Sequence, residues 1–167
     1  QYGTHEQKSN HIANNIRGTK IWCQMFSEPG AGSDLAGLTT RADRDGDEWV
    51  VNGQKVWTSG ASVADLGILL ARTDWDVPKH AGISMLVLHM DQPGVEVRPL
   101  HQMTGVAHFN EVFLDGARVP STWVVGTEGG GWRLAVARLA PARHSSGPGV
   151  GRTPTPVAPL RASPAAS

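Results

Sequence analysis

Two short segments of the chain carry residue types from which a binding site could be built. The first runs from Ser27 to Asp34 and places two glycines, a proline and two serines within eight residues. Backbone N–H groups in such a loop can closely approach a phosphate or a flat heterocycle, because little Cβ bulk intervenes. The spacing is not a G-x-G-x-x-G fingerprint, whose third glycine would fall on Leu35, and no P-loop lysine is present. On these residues alone, an ordinary structural turn is the commoner interpretation.

The second segment runs from Gly53 to Ala61 and contains a tryptophan beside two hydroxyls. Trp57 could stack on a planar ring, while Thr58 or Ser59 donates a hydrogen bond to the edge of that ring. A single tryptophan in a strand is more often a core residue, so a core role for Trp57 is the alternative.

Other chemistries find little support in the sequence. The histidines lack the close pairing of a zinc site, and no H-E-x-x-H, C-x-x-C or G-x-S-x-G motif occurs. We therefore predict no metal site. Cys23 lies in an apolar run, which favours a buried and inert thiol.

Charge and hydropathy exclude two further classes of protein. The 15 basic residues balance the 15 acidic ones among 167 residues, which argues against a nucleic-acid binder. The longest apolar runs, 67–71 and 83–88, are far shorter than the roughly 20 residues that span a bilayer. A single cysteine and no recognisable signal peptide favour a cytoplasmic location.

Short β-branched and aromatic runs must position the two segments. They predict strands over 21–27, 39–43, 49–52, 54–58, 66–73, 83–89, 95–100 and 110–114. Asp45-Gly46 and Asn52-Gly53 are typical of two-residue turns, so each predicts an antiparallel hairpin. The predicted fold is mainly β, a small antiparallel β-barrel or sandwich.

Helical and low-complexity segments flank these strands. Residues 5–17 predict a helix that ends at Gly18. A second helix is predicted to begin after Gly129–Gly131 and to be ended by Pro141. Residues 140–167 are rich in Pro, Ala, Ser and Gly, which predicts a disordered C-terminal tail.

Several collinear blocks resemble the middle domain of acyl-CoA dehydrogenases. The blocks are 26–34, 52–59, 94–97, 109–115 and 119–120. The resemblance implies that residues 1–20 end an N-terminal helical domain, that 21–126 form the β-barrel that binds FAD and acyl-CoA, and that 127–139 begin a C-terminal helical domain. Residues 140–167 depart from the family pattern, and an off-frame message would explain that tail.

The resemblance also implies a set of site residues. The FAD-binding positions would be Gln24, Met25, Phe26, Ser27, Gly32, Ser33, Trp57, Thr58 and Ser59. Ser27 would face the pyrimidine side of the flavin and Ser59 its N5, with the indole of Trp57 against the ring. Gly32 and Ser33 would face the pyrophosphate and the CoA portion, so Ser33 would also bind substrate.

The family's catalytic base lies beyond the equivalent of Leu139, so the resemblance assigns no catalytic residue, and Glu28 and Glu111 are interpreted as structural. The implied reaction is the FAD-dependent conversion of acyl-CoA to trans-2-enoyl-CoA. Its partners would be an acyl-CoA thioester and an electron-transfer flavoprotein-like acceptor, in a homotetramer or dimer. Without the base, the chain alone is predicted to be inactive. The alternatives are an acyl-CoA oxidase or flavin monooxygenase of the same superfamily, and a non-catalytic β-module.

Overall fold

The computed structural model describes residues 2–103 and 108–144. Within them lie two α-helices, three short 3₁₀ helices and seven strands that form one mixed sheet. The elements are α1 (His5–Ile16), β1 (Trp22–Met25), β2 (Arg41–Asp45), β3 (Glu48–Ser59), β4 (Leu66–Arg72), β5 (Ile83–His89), β6 (Val95–Leu100), β7 (Phe109–Pro120) and α2 (Gly131–His144). The predicted fold class, mainly β with short flanking helices, is confirmed.

The strands follow the order β1-β4-β2-β3-β7-β6, and β5 pairs with β4. Antiparallel pairing joins β2 to β3, β3 to β7, β6 to β7 and β4 to β5. The sheet differs from the expected antiparallel one at β4, which runs parallel to β1 and touches β2 in parallel. Parallel pairs require crossover connections rather than tight turns, and the turn residues of the sequence do not report them.

One of the two predicted hairpins is present. Asp45 pairs with Glu48 across a tight turn in which Gly46 has φ +59°. The hairpin predicted at Asn52-Gly53 is wrong, because β3 continues through both residues. A Cβ on Gly53 would lie 2.6 Å from Thr40 Oγ1, so the glycine permits close packing inside the sheet rather than a turn.

The first helix agrees with its prediction. Thr4 and Gln7 form a reciprocal capping box at the start of α1, and Gly18 follows its end at φ +67°. The Gln7 amide also donates to the carbonyls of Thr122 and Val124, each at 2.9 Å. These bonds attach α1 to the segment after β7.

The second helix begins where predicted but ends later. Pro141 does not stop α2, which continues to His144. A proline inside a helix removes one backbone hydrogen bond and crowds the carbonyl four residues earlier, which can kink a helix without ending it, and α2 continues for only three residues after Pro141. The remainder of the predicted disordered tail, 145–167, lies outside the described residues.

Two apolar clusters hold these elements together. The larger fills the interior of the sheet around Met25, Trp49 and Leu86. The smaller joins the Ser27–Asp34 region to α2, with Phe26 and Leu35 against Leu134 and Ala135. In the described part of the chain, no helix is long and apolar enough to cross a membrane.

Candidate functional site

A cavity of about 510 Å³ lies between the glycine-containing loop and α2. Residues of both elements line it: Gln24, Phe26, Ser27, Gly32, Ser33, Leu35, Trp132, Ala135, Val136 and Leu139. Five of the predicted site residues, all from the 24–33 segment, are among them. The loop lies over the cavity because Phe26 and Leu35 are anchored in the smaller apolar cluster, which also contains Leu134 and Ala135 of α2.

One predicted residue of this segment is placed differently. The side chain of Met25 is 0% exposed and packs in the larger core cluster, not on the cavity lining. Its neighbour Gln24 is exposed, as strand alternation requires.

Trp57 has an unusual backbone conformation at the end of β3. The ladder steps from Lys55↔Val112 to Thr58↔Asn110, so β3 holds one extra residue there. Trp57 adopts φ +57°, alone among the described residues other than glycine. A bulky side chain is strained in this left-handed region. The indole is 61% exposed, so its exposure rules out the core alternative.

The two hydroxyls after Trp57 have different environments. Thr58 is buried, and its Oγ1 has no hydrogen-bond partner among the described residues. Ser59 is exposed and lines a separate open cavity of about 630 Å³ together with His108, Phe109 and Asn110. Phe109 also contacts the Trp57 ring edge to face, with 5.8 Å between centroids.

Hydrogen bonds connect the two predicted segments at residues 26–28 and 55–56, and we call this contact the joint. Because of the extra residue in β3, Val56 N–H is free of the β7 ladder and donates to Ser27 O at 2.9 Å. The neighbouring Lys55 Nζ donates to Phe26 O at 3.2 Å and to Glu28 Oε1 at 2.8 Å. Segments almost thirty residues apart are thus fixed to each other immediately before Trp57.

Comparisons with known proteins identify the family of this chain. The family model described as "Acyl-CoA dehydrogenase, middle domain" matches residues 23–117. The chain belongs to the acyl-CoA dehydrogenase family. "Acyl-CoA dehydrogenase IpdE1" of Mycobacterium tuberculosis is 51% identical over 138 residues, which are 83% of this chain and 36% of that protein.

Solved structures of acyl-CoA dehydrogenases show the same fold. The "Tcur3481-Tcur3483 steroid ACAD" superposes with a TM-score of 0.81 at 43% identity, over 85% of this chain and 37% of that one. A glutaryl-CoA dehydrogenase from Mycobacterium smegmatis, solved in complex with FADH2, gives a TM-score of 0.74 at 32% identity, over 86% and 36%. The chain therefore spans little more than a third of the length of these relatives.

The residues of this acyl-CoA dehydrogenase chain fit a flavin by type and exposure. Trp57 offers an exposed aromatic face, and the buried Thr58 Oγ1 is an unpaired polar group beside it. At Gly30 and Gly32 nothing lies within 4 Å of the position that a Cβ would take, so the loop backbone is open to a ligand. Hydroxyl and backbone N–H donors beside an aromatic wall are what a polar-edged planar ring needs.

Sequence reasoning missed Lys55, the fully buried cation of the joint. Its side chain is 0% exposed, and the charge is balanced by Glu28. Burial lowers the pKa of Lys55 to about 8, against the opposing effect of the Glu28 carboxylate. Residues 49, 51, 53 and 55 alternate inward along β3, and that period places the lysine on the core face. The sequence therefore contained the indication, because the charged Lys55 occupies a strand position that faces the core.

Glu28 is the anion of the same joint, and both its oxygens are occupied. Oε1 accepts from Thr40 N and Lys55 Nζ, and Oε2 accepts from Thr39 N and Oγ1. Burial raises the pKa of Glu28, but the charge and hydrogen bond of Lys55 and the bonds from Thr40 and Thr39 outweigh it, and the pKa falls to about 2. A carboxylate so engaged agrees with the structural interpretation of Glu28.

Two further contacts border the 510 Å³ cavity and were not predicted. Lys79 pairs with Asp34 at 3.1 Å beside Ser33, and His80 contacts Trp132 with 4.6 Å between ring centroids and 55° between the ring planes. Among the described residues, no group of three or more His, Cys, Asp or Glu side chains could hold a metal ion.

Proposed function

We propose that this chain forms one wall of the FAD and acyl-CoA site of a dehydrogenase that makes trans-2-enoyl-CoA. The observation that carries the proposal is the joint at Ser27 and Val56, which sets the glycine-containing loop next to the strand end that presents Trp57. Both segments are then available to a single ligand with an aromatic ring and phosphates.

The proposed roles follow from exposure and chemistry. The exposed indole of Trp57 packs against the isoalloxazine ring, while Ser59 and Ser27 donate to its polar edges. FAD, when bound, accepts the hydride that leaves Cβ of the acyl group. Donors aimed at the ring stabilise the negative charge that develops there, and the aromatic wall excludes water. On the resemblance we also assign Gln24, Phe26, Gly32 and Thr58 to the flavin, whereas the side chain of Met25 is buried in the core and takes no part.

We infer that the 510 Å³ cavity takes part of the thioester. Its volume lies in the usual range of ligand sites, and its walls are mainly apolar apart from Gln24 and the two serines. Ser33 at the loop would bind the CoA portion. A second cavity of about 250 Å³ shares Gln24 and Phe26 with the first. Together with the similarity to a steroid acyl-CoA dehydrogenase, this favours a bulky acyl group.

The proton removed from Cα needs a carboxylate base, which we place outside this chain. Both oxygens of Glu28 are already hydrogen-bonded, so that residue is a poor candidate. We expect the 167-residue chain alone to bind ligand without turnover. An electron-transfer flavoprotein-like acceptor, assembly as a homotetramer or dimer, and a cytoplasmic location remain predictions.

Titration of the purified 167-residue chain with FAD tests the proposal. We expect quenched flavin fluorescence on binding and an affinity about tenfold weaker in Trp57→Leu, since loss of the stacked indole costs about 1.4 kcal/mol. Trp75→Leu is the matched control, because Trp75 is similarly exposed, at 48%, but contacts Arg41 and Arg72 instead. No binding of FAD, or equal losses in the two variants, would contradict the proposal.

The thioester assignment has its own test. Binding of a non-reactive acyl-CoA thioether to the FAD-loaded chain should weaken in Ser33→Ala and stay unchanged in Ser62→Ala, since Ser62 lines the other cavity. Equal effects would move the CoA portion away from Ser33.

A further inference from the structure

The buried Lys55–Glu28 ion pair is the one strongly polar group in the joint for which the proposed reaction has no use. Its Nζ and Oε1 lie 2.8 Å apart, and the two side chains are 0% and 4% exposed. Neither residue lines any of the three cavities described above. The pair therefore does not contact a ligand, and any influence on the site must pass through its neighbours.

Those neighbours belong to both walls of the site. On the loop side, Lys55 holds the carbonyl of Phe26, and Glu28 lies one residue after Ser27. On the strand side, Lys55 is followed by Val56, whose N–H binds Ser27 O, and then by Trp57. Three hydrogen bonds thus cross from a three-residue stretch of the loop to two consecutive residues of β3.

The backbone at Trp57 needs such a restraint. A non-glycine residue in the left-handed region persists only where surrounding contacts fix it. Val56 and Trp57 are outside the β7 ladder, so on that side the sheet does not supply the restraint. Of the described hydrogen bonds, those of Lys55 and Val56 immediately precede the strained residue.

We propose that the Lys55–Glu28 pair is a positioning device that locks Trp57 and Ser27 into one rigid flavin-facing unit. The relevance to flavin rests on the proposed function, whereas the positioning of Trp57 can be measured without any ligand. A pair that merely stabilised the fold would leave the conformation at Trp57 unchanged in any variant that still folds.

The experiment uses the full 167-residue chain labelled with 5-fluorotryptophan. The fluorine resonance of Trp57 is assigned by its disappearance in Trp57→Phe. The principal variant is Lys55→Met, and the double variant Glu28→Gln/Lys55→Met removes both charges in case the single one fails to fold, since an unpaired buried charge is the costlier state. Lys20→Met is the matched control, because Lys20 forms an equally short ion pair with Asp65, at 2.7 Å, on the surface.

Two ligand-free readouts decide the matter. In folded Lys55→Met and in the double variant, we expect the Trp57 resonance to shift or broaden while that of the core residue Trp49 stays in place. In the same variants the hydrogen-exchange protection of the Val56 amide should fall about tenfold or more. Lys55→Arg, which keeps a charge and several donors, should restore part of the protection. Lys20→Met should change neither readout. An unmoved Trp57 resonance with full Val56 protection in a folded variant overturns the proposal.

FAD titration of the same variants then separates this inference from the proposed function. If the wild type binds FAD, the double variant should bind it about tenfold more weakly, close to the loss in Trp57→Leu. An unchanged affinity in the presence of a displaced Trp57 would refute the flavin-facing part of the inference. If the wild type binds no FAD but the resonance and exchange data respond as expected, the positioning of Trp57 stands and the proposed function fails.

Discussion

The acid stability of the chain should depend strongly on Glu28. Its pKa is 4.5 ordinarily and about 2 in the fold, where the charge of Lys55 and four hydrogen bonds outweigh burial. Because the folded pKa is the lower one, the stabilisation is fully present above pH 4.5 and is lost as the pH falls towards 2. Its full size is roughly 3 kcal/mol, and about 2 kcal/mol of that is lost by about pH 3.

Urea unfolding followed by tryptophan fluorescence between about pH 6 and about pH 3 measures this loss. Wild type should lose about 2 kcal/mol more unfolding free energy over that interval than Glu28→Gln, whose amide does not titrate. The variant starts from a lower stability near neutral pH, so the comparison is between slopes. Glu111→Gln gives the background, since Glu111 is a half-buried carboxylate that accepts a hydrogen bond from Gln54 but is not part of the buried ion pair. Equal pH slopes for wild type and Glu28→Gln would refute the reasoning.

Three further changes have clear expected outcomes. Trp57→Gly should remain within about 1 kcal/mol of wild-type stability in urea, because relief of the φ +57° strain offsets the lost aromatic contact, and its FAD affinity should fall about tenfold, as in Trp57→Leu. A cost above about 2 kcal/mol would show that the residue is unstrained. Gly94→Ala should lower the unfolding free energy by about 3 kcal/mol or more, since Gly94 has φ +84° and its Cβ would meet the Asp115 carbonyl oxygen. Gly46→Ala, with open space around it, should lower it by only about 1 kcal/mol. Similar Tm losses in the two variants would contradict this. Cys23, whose pKa burial raises to about 11, should resist iodoacetamide at about pH 8 until urea unfolds the chain, and rapid labelling of the folded chain would contradict its burial.

Local patterns predicted most of the elements because local rules govern them. Runs of β-branched and aromatic residues located all seven strands, although they divided β3 into two predicted strands, 49–52 and 54–58. The segment 5–17 and the glycine after it located α1. The same rules failed at Asn52-Gly53, where the glycine is required by contact with Thr40, a residue of the neighbouring segment rather than of a turn at this position. A dipeptide that suits a turn also suits close packing, and only the tertiary neighbour distinguishes them.

The candidate site was predictable in composition but not in arrangement. Motif resemblance selected Ser27, Ser33 and Trp57, and the structure gives exposed or cavity-lining positions to each. Sequence could not reveal that one extra residue in β3 turns the indole outward and frees the Val56 N–H, because a bulge depends on the register with another strand. The strand pattern also does not show that Lys55 pairs with Glu28, a carboxylate from a loop.

The polar character of the joint follows from the backbone groups around it. Buried ion pairs can often be replaced by apolar side chains at little cost, because charge desolvation offsets their attraction. Here Glu28 also accepts from the N–H groups of Thr39 and Thr40, and Lys55 donates to the Phe26 carbonyl. An apolar pair would leave these three backbone groups unpaired, at about 1 to 3 kcal/mol for each one that is buried. After β1 the chain leaves the sheet towards the proposed flavin face, so these backbone groups have no neighbouring strand to pair with. The Lys55–Glu28 pair supplies their hydrogen-bond partners instead. The double variant Glu28→Leu/Lys55→Met should therefore lose more unfolding free energy than a variant that lacks the surface ion pair Lys20–Asp65 or Lys79–Asp34. A double variant as stable as wild type would show that those backbone groups find other partners.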